Sequence, residues 1–203
     1  MIISLKKAPL YVAYALIMLV ALYALTYFIP NFQPPFLQNK PLDNTVWRFA
    51  FWTHVGLGAL ALALGPFQLS TKRRQRNLLL HRKLGKLYVI SILVASVCAF
   101  YASFFAGTGW IAGLGFAMLA VAWFYTTLRA YQTIRQKQID QHRAWMYRSY
   151  AVTLAAVTLR IILPVELALL GLPFSVAYPI VAWLCWVPNL IVVEWWLSKR
   201  SLK

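Results

Sequence analysis

Four uncharged stretches constrain this chain more than any other feature: residues 8–39, 49–71, 87–128 and 167–193 contain no Asp, Glu, Lys or Arg. An apolar run of about 18 or more residues reads as a membrane helix, because some 20 residues are needed to cross ~30 Å of hydrocarbon. The run 87–128 is too long for one crossing and breaks at GTGW, residues 107–110, which predicts a tight helical hairpin. A further helix begins near Trp145. The pattern therefore predicts an all-α integral membrane bundle of six transmembrane helices, at about 9–29, 48–70, 85–106, 110–130, 145–165 and 174–197. One transmembrane domain accounts for residues 1–203, with no room for a soluble one. The charged share of 12% is about half that of a soluble domain.

A net charge of +16 invites a nucleic-acid reading, but the placement of the charge argues against it. Seventeen of the twenty Lys and Arg lie at Lys6 and Lys7, in 72–86, in 129–148 and after Leu197. These are alternate ends of the six spans, the positive-inside pattern. Both termini are expected in the cytoplasm, with the basic loops against anionic lipid headgroups and no nucleic-acid partner. The first apolar run exceeds a signal-peptide core, so it reads as an anchor helix. The loop 30–47, with Pro30, Pro34, Pro35 and Pro41, is expected to be a stiff external cover. Most tryptophans, including Trp47, Trp110, Trp123 and Trp195, fall near span ends and read as interfacial anchors. Cys98 and Cys185 lie in mid-span, and no metal-ligand spacing exists.

The polar residues inside the spans carry what the sequence says about function. Arg160 follows His142 by eighteen residues, five helical turns, with Ser149 and Thr153 between them on one face. That 7-4-7 stripe must face the protein interior, because an ionisable side chain in lipid is costly and marks a functional position. Glu166, beyond Pro164, offers Arg160 a structural ion pair as the alternative. His54 enters the second span to a similar depth, on a face of small residues. His54, Arg160 and Tyr101 together would hold a quinone: hydrogen-bonding groups for the carbonyls and an aromatic wall. A b-type haem needs an axial pair at one depth, and Met118 is the residue nearest the level of His54.

The dipeptide His-Arg occurs twice, as His81-Arg82 before the third span and His142-Arg143 before the fifth. Both spans run in the same direction, so both starts face the same side. If adjacent, the two starts form a site for a phosphate, a lipid headgroup or a haem propionate. Tyr88 and Tyr147 are expected to add hydroxyls there. Glu194 is expected to pair with Arg148 or Arg143.

The segments THVGLGALALALGPFQL, HRKLGKLYV, QHRAWMYRSYAVTLAAVTLR and WVPNLIVVEWW together resemble an uncharacterised family of bacterial multipass membrane proteins, from about residue 48 to 197. The resemblance implies a bacterial inner-membrane location and brings no established activity. HRKLG is also similar to the histidine motif of haem A synthases, but LLL stands before His81 where that motif carries an acidic residue. Three functions fit these residues: a quinone- or haem-binding redox protein, a carrier of a small solute or anion, and a non-catalytic lipid- or partner-binding subunit. The charge placement makes a direct prediction. A reporter that functions only in the cytoplasm, fused after Lys203, should be active, and an exported reporter at the same point inactive; the reverse result would invert the topology.

Overall fold

The computed structural model describes residues 8–29, 32, 37 and 40–201. Those residues form α1 (Ala8–Leu25), extended by a 3-10 turn (Thr26–Phe28), then α2 (Thr45–Leu69), α3 (Thr71–Arg76), α4 (Leu78–Ser103), α5 (Trp110–Arg135), α6 (Ile139–Thr153), α7 (Ala155–Pro164), a π-helical turn (Val165–Leu169), α8 (Phe174–Leu184) and α9 (Val187–Ser201). Six stretches are long and apolar enough to cross a membrane, as expected. Lys6, Lys7 and Lys203, and Pro30, Pro34 and Pro35 of the loop, lie outside the described residues.

Four spans close into a ring. α2 packs on α4, α4 on α5, α5 on α6, and α6 back on α2. α1 lies against α2 and α7, α8 against α5 and α7, and α9 against α6. One end of this bundle carries Lys40–Asn44, ahead of α2; the other carries most of the described Lys and Arg. We call them the loop end and the basic end.

Local chemistry sets the helix boundaries. The side chains of Asn44, Ser70 and Asn77 accept the N–H groups of Trp47, Arg73 and Leu80, which starts α2, α3 and α4. The Asn77 cap starts α4 at Leu78, seven residues before the predicted span, so most of the basic loop is helical. α5 ends with Gln138 N–H on the Thr133 carbonyl (2.9 Å) and Lys137 N–H on the Ile134 carbonyl (3.1 Å). That is a Schellman ending, with Lys137 at φ 62° in the place glycine usually takes. The short turn it makes delivers His142 beside the end of α5.

Pro66 has no N–H to offer the carbonyl of Leu62, one turn earlier in α2. The Tyr150 hydroxyl supplies the missing donor across the bundle, at 3.3 Å. Its ring lies against Gly65, where an added Cβ would come within 1.8 Å of the ring. The glycine-proline pair is thus a seat for Tyr150, and it ties α2 to α6.

The fifth span is not one continuous helix. It breaks at Leu154, between α6 and α7. The sixth breaks at Cys185–Trp186, just before Pro188. Asn189 joins the two breaks: its Nδ2 donates to the carbonyls of Ala151 (3.2 Å) and Cys185 (3.0 Å) and to Thr158 Oγ1 (3.0 Å). Two of the expected interfacial tryptophans are core residues instead. Trp47 is 1% exposed and stacks on Phe51, and Trp123 is 7% exposed. Each lies on the inward face of its helix, and burial of a large ring outweighs interfacial anchoring there. Trp110 and Trp195 are exposed, at 76% and 59%, as anchors should be.

The Gly65–Tyr150 contact predicts a cost for the smallest added group. Gly65→Ala should destabilise the protein by roughly 1–3 kcal/mol, as overpacking does, seen as a lower thermal midpoint in detergent. Tyr150→Phe, which strands the Leu62 carbonyl, should cost about 1–3 kcal/mol. An unchanged midpoint in both variants would contradict the packing described.

Candidate functional site

The centre of the four-helix ring is polar. Ser149 and Thr153 of α6 are 0% and 4% exposed and face Tyr88 of α4 and Thr127 of α5. Thr153 Oγ1 donates to the Ser149 carbonyl (2.8 Å) and accepts the indole N–H of Trp123 (2.8 Å). Its one proton being used, it must accept from Tyr88, at 3.3 Å. Tyr88 then accepts from Ser149 (3.0 Å), and Ser149 from Thr127 (2.7 Å). Every hydroxyl in the cluster is satisfied in one direction, as a buried network in a membrane protein must be. Tyr88 therefore belongs to the centre of the bundle rather than to the basic end. Tyr147 packs edge-to-face on Trp196 of the sixth span, with ring centroids 4.8 Å apart.

Towards the loop end the cluster meets His54. Its ring lies edge-to-face to Trp123, centroids 6.0 Å apart, and its Nδ1 is 3.3 Å from the carbonyl of Ala95. A carbonyl only accepts, so Nδ1 carries the proton there. In the neutral ring Nε2 is left as an acceptor.

Arg160 lies in the same region. One guanidinium N–H donates to the Ala156 carbonyl (2.9 Å), and the guanidinium carbon stands 5.5 Å from the Tyr23 ring centroid. The Tyr27 hydroxyl interacts with it, and it lies within electrostatic reach of His54. The alternative pairing with Glu166 does not form. The ion pairs among the described residues are Arg143–Asp140 and Arg148–Glu194. Glu194 thus pairs with Arg148 as expected, through both carboxylate oxygens. Glu166 sits in the π turn, 4% exposed, its Oε2 without a hydrogen-bond partner.

An aromatic roof covers this end. Tyr27, Leu37 and Trp47 are its buried centre, with Phe51, Trp52, Tyr101 and Phe105 packed around them. Tyr101 is part of the roof, its ring tilted on Phe105, and makes no described hydrogen bond to His54 or Arg160. Lys40 donates to the Phe105 carbonyl and pins the end of the loop onto the hairpin turn. Beside Tyr23, the face of α1 formed by Ala15, Met18, Leu19, Leu22 and Thr26 is apolar and open. Met118 does not share the site: it is 43% exposed on the outside of α5, so the His/Met axial pair considered above has no geometric basis.

At the basic end the two His-Arg starts do converge. His81 and His142 are within electrostatic reach of each other and of Arg74. His142 Nδ1 donates to the Ala130 carbonyl (2.8 Å), while His81 Nδ1 is shut off from solvent without a partner. Arg82 and Arg143 are exposed, and Arg143 is held by Asp140 at 3.1 Å.

Sequence reasoning missed Trp123, Tyr23, Tyr27, Arg74 and Asn189. The two tyrosines stand four apart in an apolar anchor run, a helical spacing that was available as a signal. Asn189, beside a mid-span proline, was a second.

No curated protein and no solved structure matches the chain. A family model described as "Predicted membrane protein (DUF2306)" matches residues 51–197, which contain His54, the hydroxyl cluster, both His-Arg starts and Arg160. The chain therefore belongs to the DUF2306 family of membrane proteins.

Proposed function

We propose that this protein binds a lipophilic quinone at the loop end of the bundle and serves a redox role in the bacterial inner membrane, its termini in the cytoplasm. The observation that carries this reading is the polar group of Arg160, Tyr27 and His54 beside the exposed apolar face of α1, with Tyr23 common to both. Arg160 would donate to a quinone carbonyl, with Tyr27 beside it. His54 Nε2 would accept from the hydroxyl of the reduced form, its ring already oriented by the Ala95 carbonyl. The aromatic roof would shield these contacts from water and strengthen them. Met18, Leu19 and Leu22 of α1 are exposed, and the tail of a membrane-dissolved ligand would lie along them.

The alternatives have less support. A low-spin b-type haem wants a second axial ligand, and the described residues bring neither Met118 nor another histidine to His54. A solute carrier would need the break in the sixth span to move, yet Asn189 holds it with the two N–H groups of its amide, shared among three acceptors.

The test is extraction of lipids from the purified protein and chromatographic measurement of quinone per protein. The unmodified chain should retain a near-stoichiometric amount. Arg160→Leu should insert and fold, because it removes a charge worth about 2.5–3.5 kcal/mol at mid-bilayer depth, yet lose quinone about tenfold or more. Adding Glu166→Gln should not restore it, since the two side chains are not paired. Rescue by the second change, or equal quinone in all three proteins, would overturn the reading.

A further inference from the structure

The basic end carries a second site that the quinone reading does not use. α3 is a short basic helix, TKRRQR, whose side chains are all exposed except that of Arg74. Arg73 lies over the Phe67 ring at 4.1 Å and is thereby occupied. His81 and His142 stand two turns before Tyr88 and Ser149, whose hydroxyls meet at 3.0 Å, so the two imidazoles face one another at the basic end, and the half-buried Arg74 acts on both. The other charged groups that act on the two imidazoles are Arg82 and Arg143. Every one of these groups is a cation or becomes one on protonation, and no carboxylate acts on either ring. Asp140, the nearest acid in sequence, is 94% exposed and already paired with Arg143.

Burial and these cations push both imidazoles down, so they rest neutral until an anion supplies the counter-charge. The site also has unspent hydrogen-bonding capacity: His81 Nδ1 is enclosed and without a partner, and His142, which donates through Nδ1, keeps a free Nε2 that becomes a donor once an anion draws a proton onto it. The helix ends contribute little, since Asn77 already caps α4. The side chains make the site. Next to it Leu78, Leu79 and Leu80 are exposed at 49%, 65% and 49%, between the basic residues of α3 and His81. Three exposed leucines flanked by cations suit the boundary of a bilayer, where acyl chains meet charged headgroups.

We propose that Arg74, His81 and His142 form a binding site for a phosphate ester anion at the basic end of the bundle. The chemistry is that of a phosphate held by a guanidinium and two imidazoles. The exposed leucines point to a phospholipid headgroup as its source, and free phosphate is the other source to be separated by experiment. The site stands on different residues from the quinone cluster, so either proposal can fail without the other.

The experiment is native mass spectrometry of the full chain released from detergent containing equal phosphatidylglycerol and phosphatidylcholine, repeated with inorganic phosphate alone. The unmodified protein should retain phosphatidylglycerol at least tenfold over phosphatidylcholine. The triple variant Arg74→Gln, His81→Gln, His142→Gln should lose that preference. The control variant Lys199→Gln, Arg200→Gln, with two charges removed from the same end outside the cluster, should keep it. Should the triple variant fail to fold, Arg74→Gln alone is expected to reduce the preference at least threefold. Inorganic phosphate bound by the unmodified protein and lost in the variant would keep the site and reassign its source. Preference for phosphatidylglycerol that is equal in all variants, or no retention of either ligand, would overturn the proposal.

Discussion

The structure depends on one constraint: in hydrocarbon, every buried polar group must find its partner within the protein. The hydroxyl cluster of Ser149, Thr153, Tyr88 and Thr127, closed by the Trp123 indole, meets it by directing each proton to the next oxygen. Because the partners lie on α4, α5 and α6, satisfying the cluster also fixes how these helices sit together. The Tyr150 hydroxyl does the same for the carbonyl that Pro66 leaves free on α2. The four-helix ring is thus specified by polar complementarity, in a medium where apolar side chains gain little by leaving lipid for one another.

Polar residues are also the reason for the two broken spans. Asn189 draws the Ala151 and Cys185 carbonyls to one amide and so locks the α6–α7 break to the α8–α9 break. The locked pair places α7 against α1, which brings Arg160 under Tyr23 and beside Tyr27. Arg160 is then accommodated by a carbonyl and two tyrosines, without a carboxylate. The candidate site is a consequence of that packing.

Much of this was legible in the residues. Charge-free runs located five of the six spans, because insertion into lipid is a strong physical filter and few other sequences pass it; the fifth span, which holds Arg148 and Arg160, was read from the helix that starts near Trp145. The helical register from His142 put Ser149 and Thr153 inside, and both are fully enclosed. It extended to Arg160 only loosely, since a helix break at Leu154 cannot be read from spacing. Trp47 and Trp123 were misplaced because position near a span end says nothing about which face a ring occupies. Tyr23 and Tyr27 were hidden in an apolar run, where a tyrosine reads equally well as an interfacial residue. Arg74 was lost among cations that have an adequate role as topology signals; only the fold half-buries it while the rest of α3 stays exposed.

The central claim is that the loop-end cluster of His54, Arg160, Tyr23 and Tyr27 receives a quinone headgroup. Photolabelling with an azido-quinone in membranes, followed by peptide mapping, tests it most directly. The account predicts modification concentrated on segments containing Tyr23–Tyr27, His54 or Arg160, and suppressed by excess unlabelled quinone. Labels spread over outward-facing positions such as Val121 and Ile191, 46% and 62% exposed, and insensitive to competitor, would contradict it.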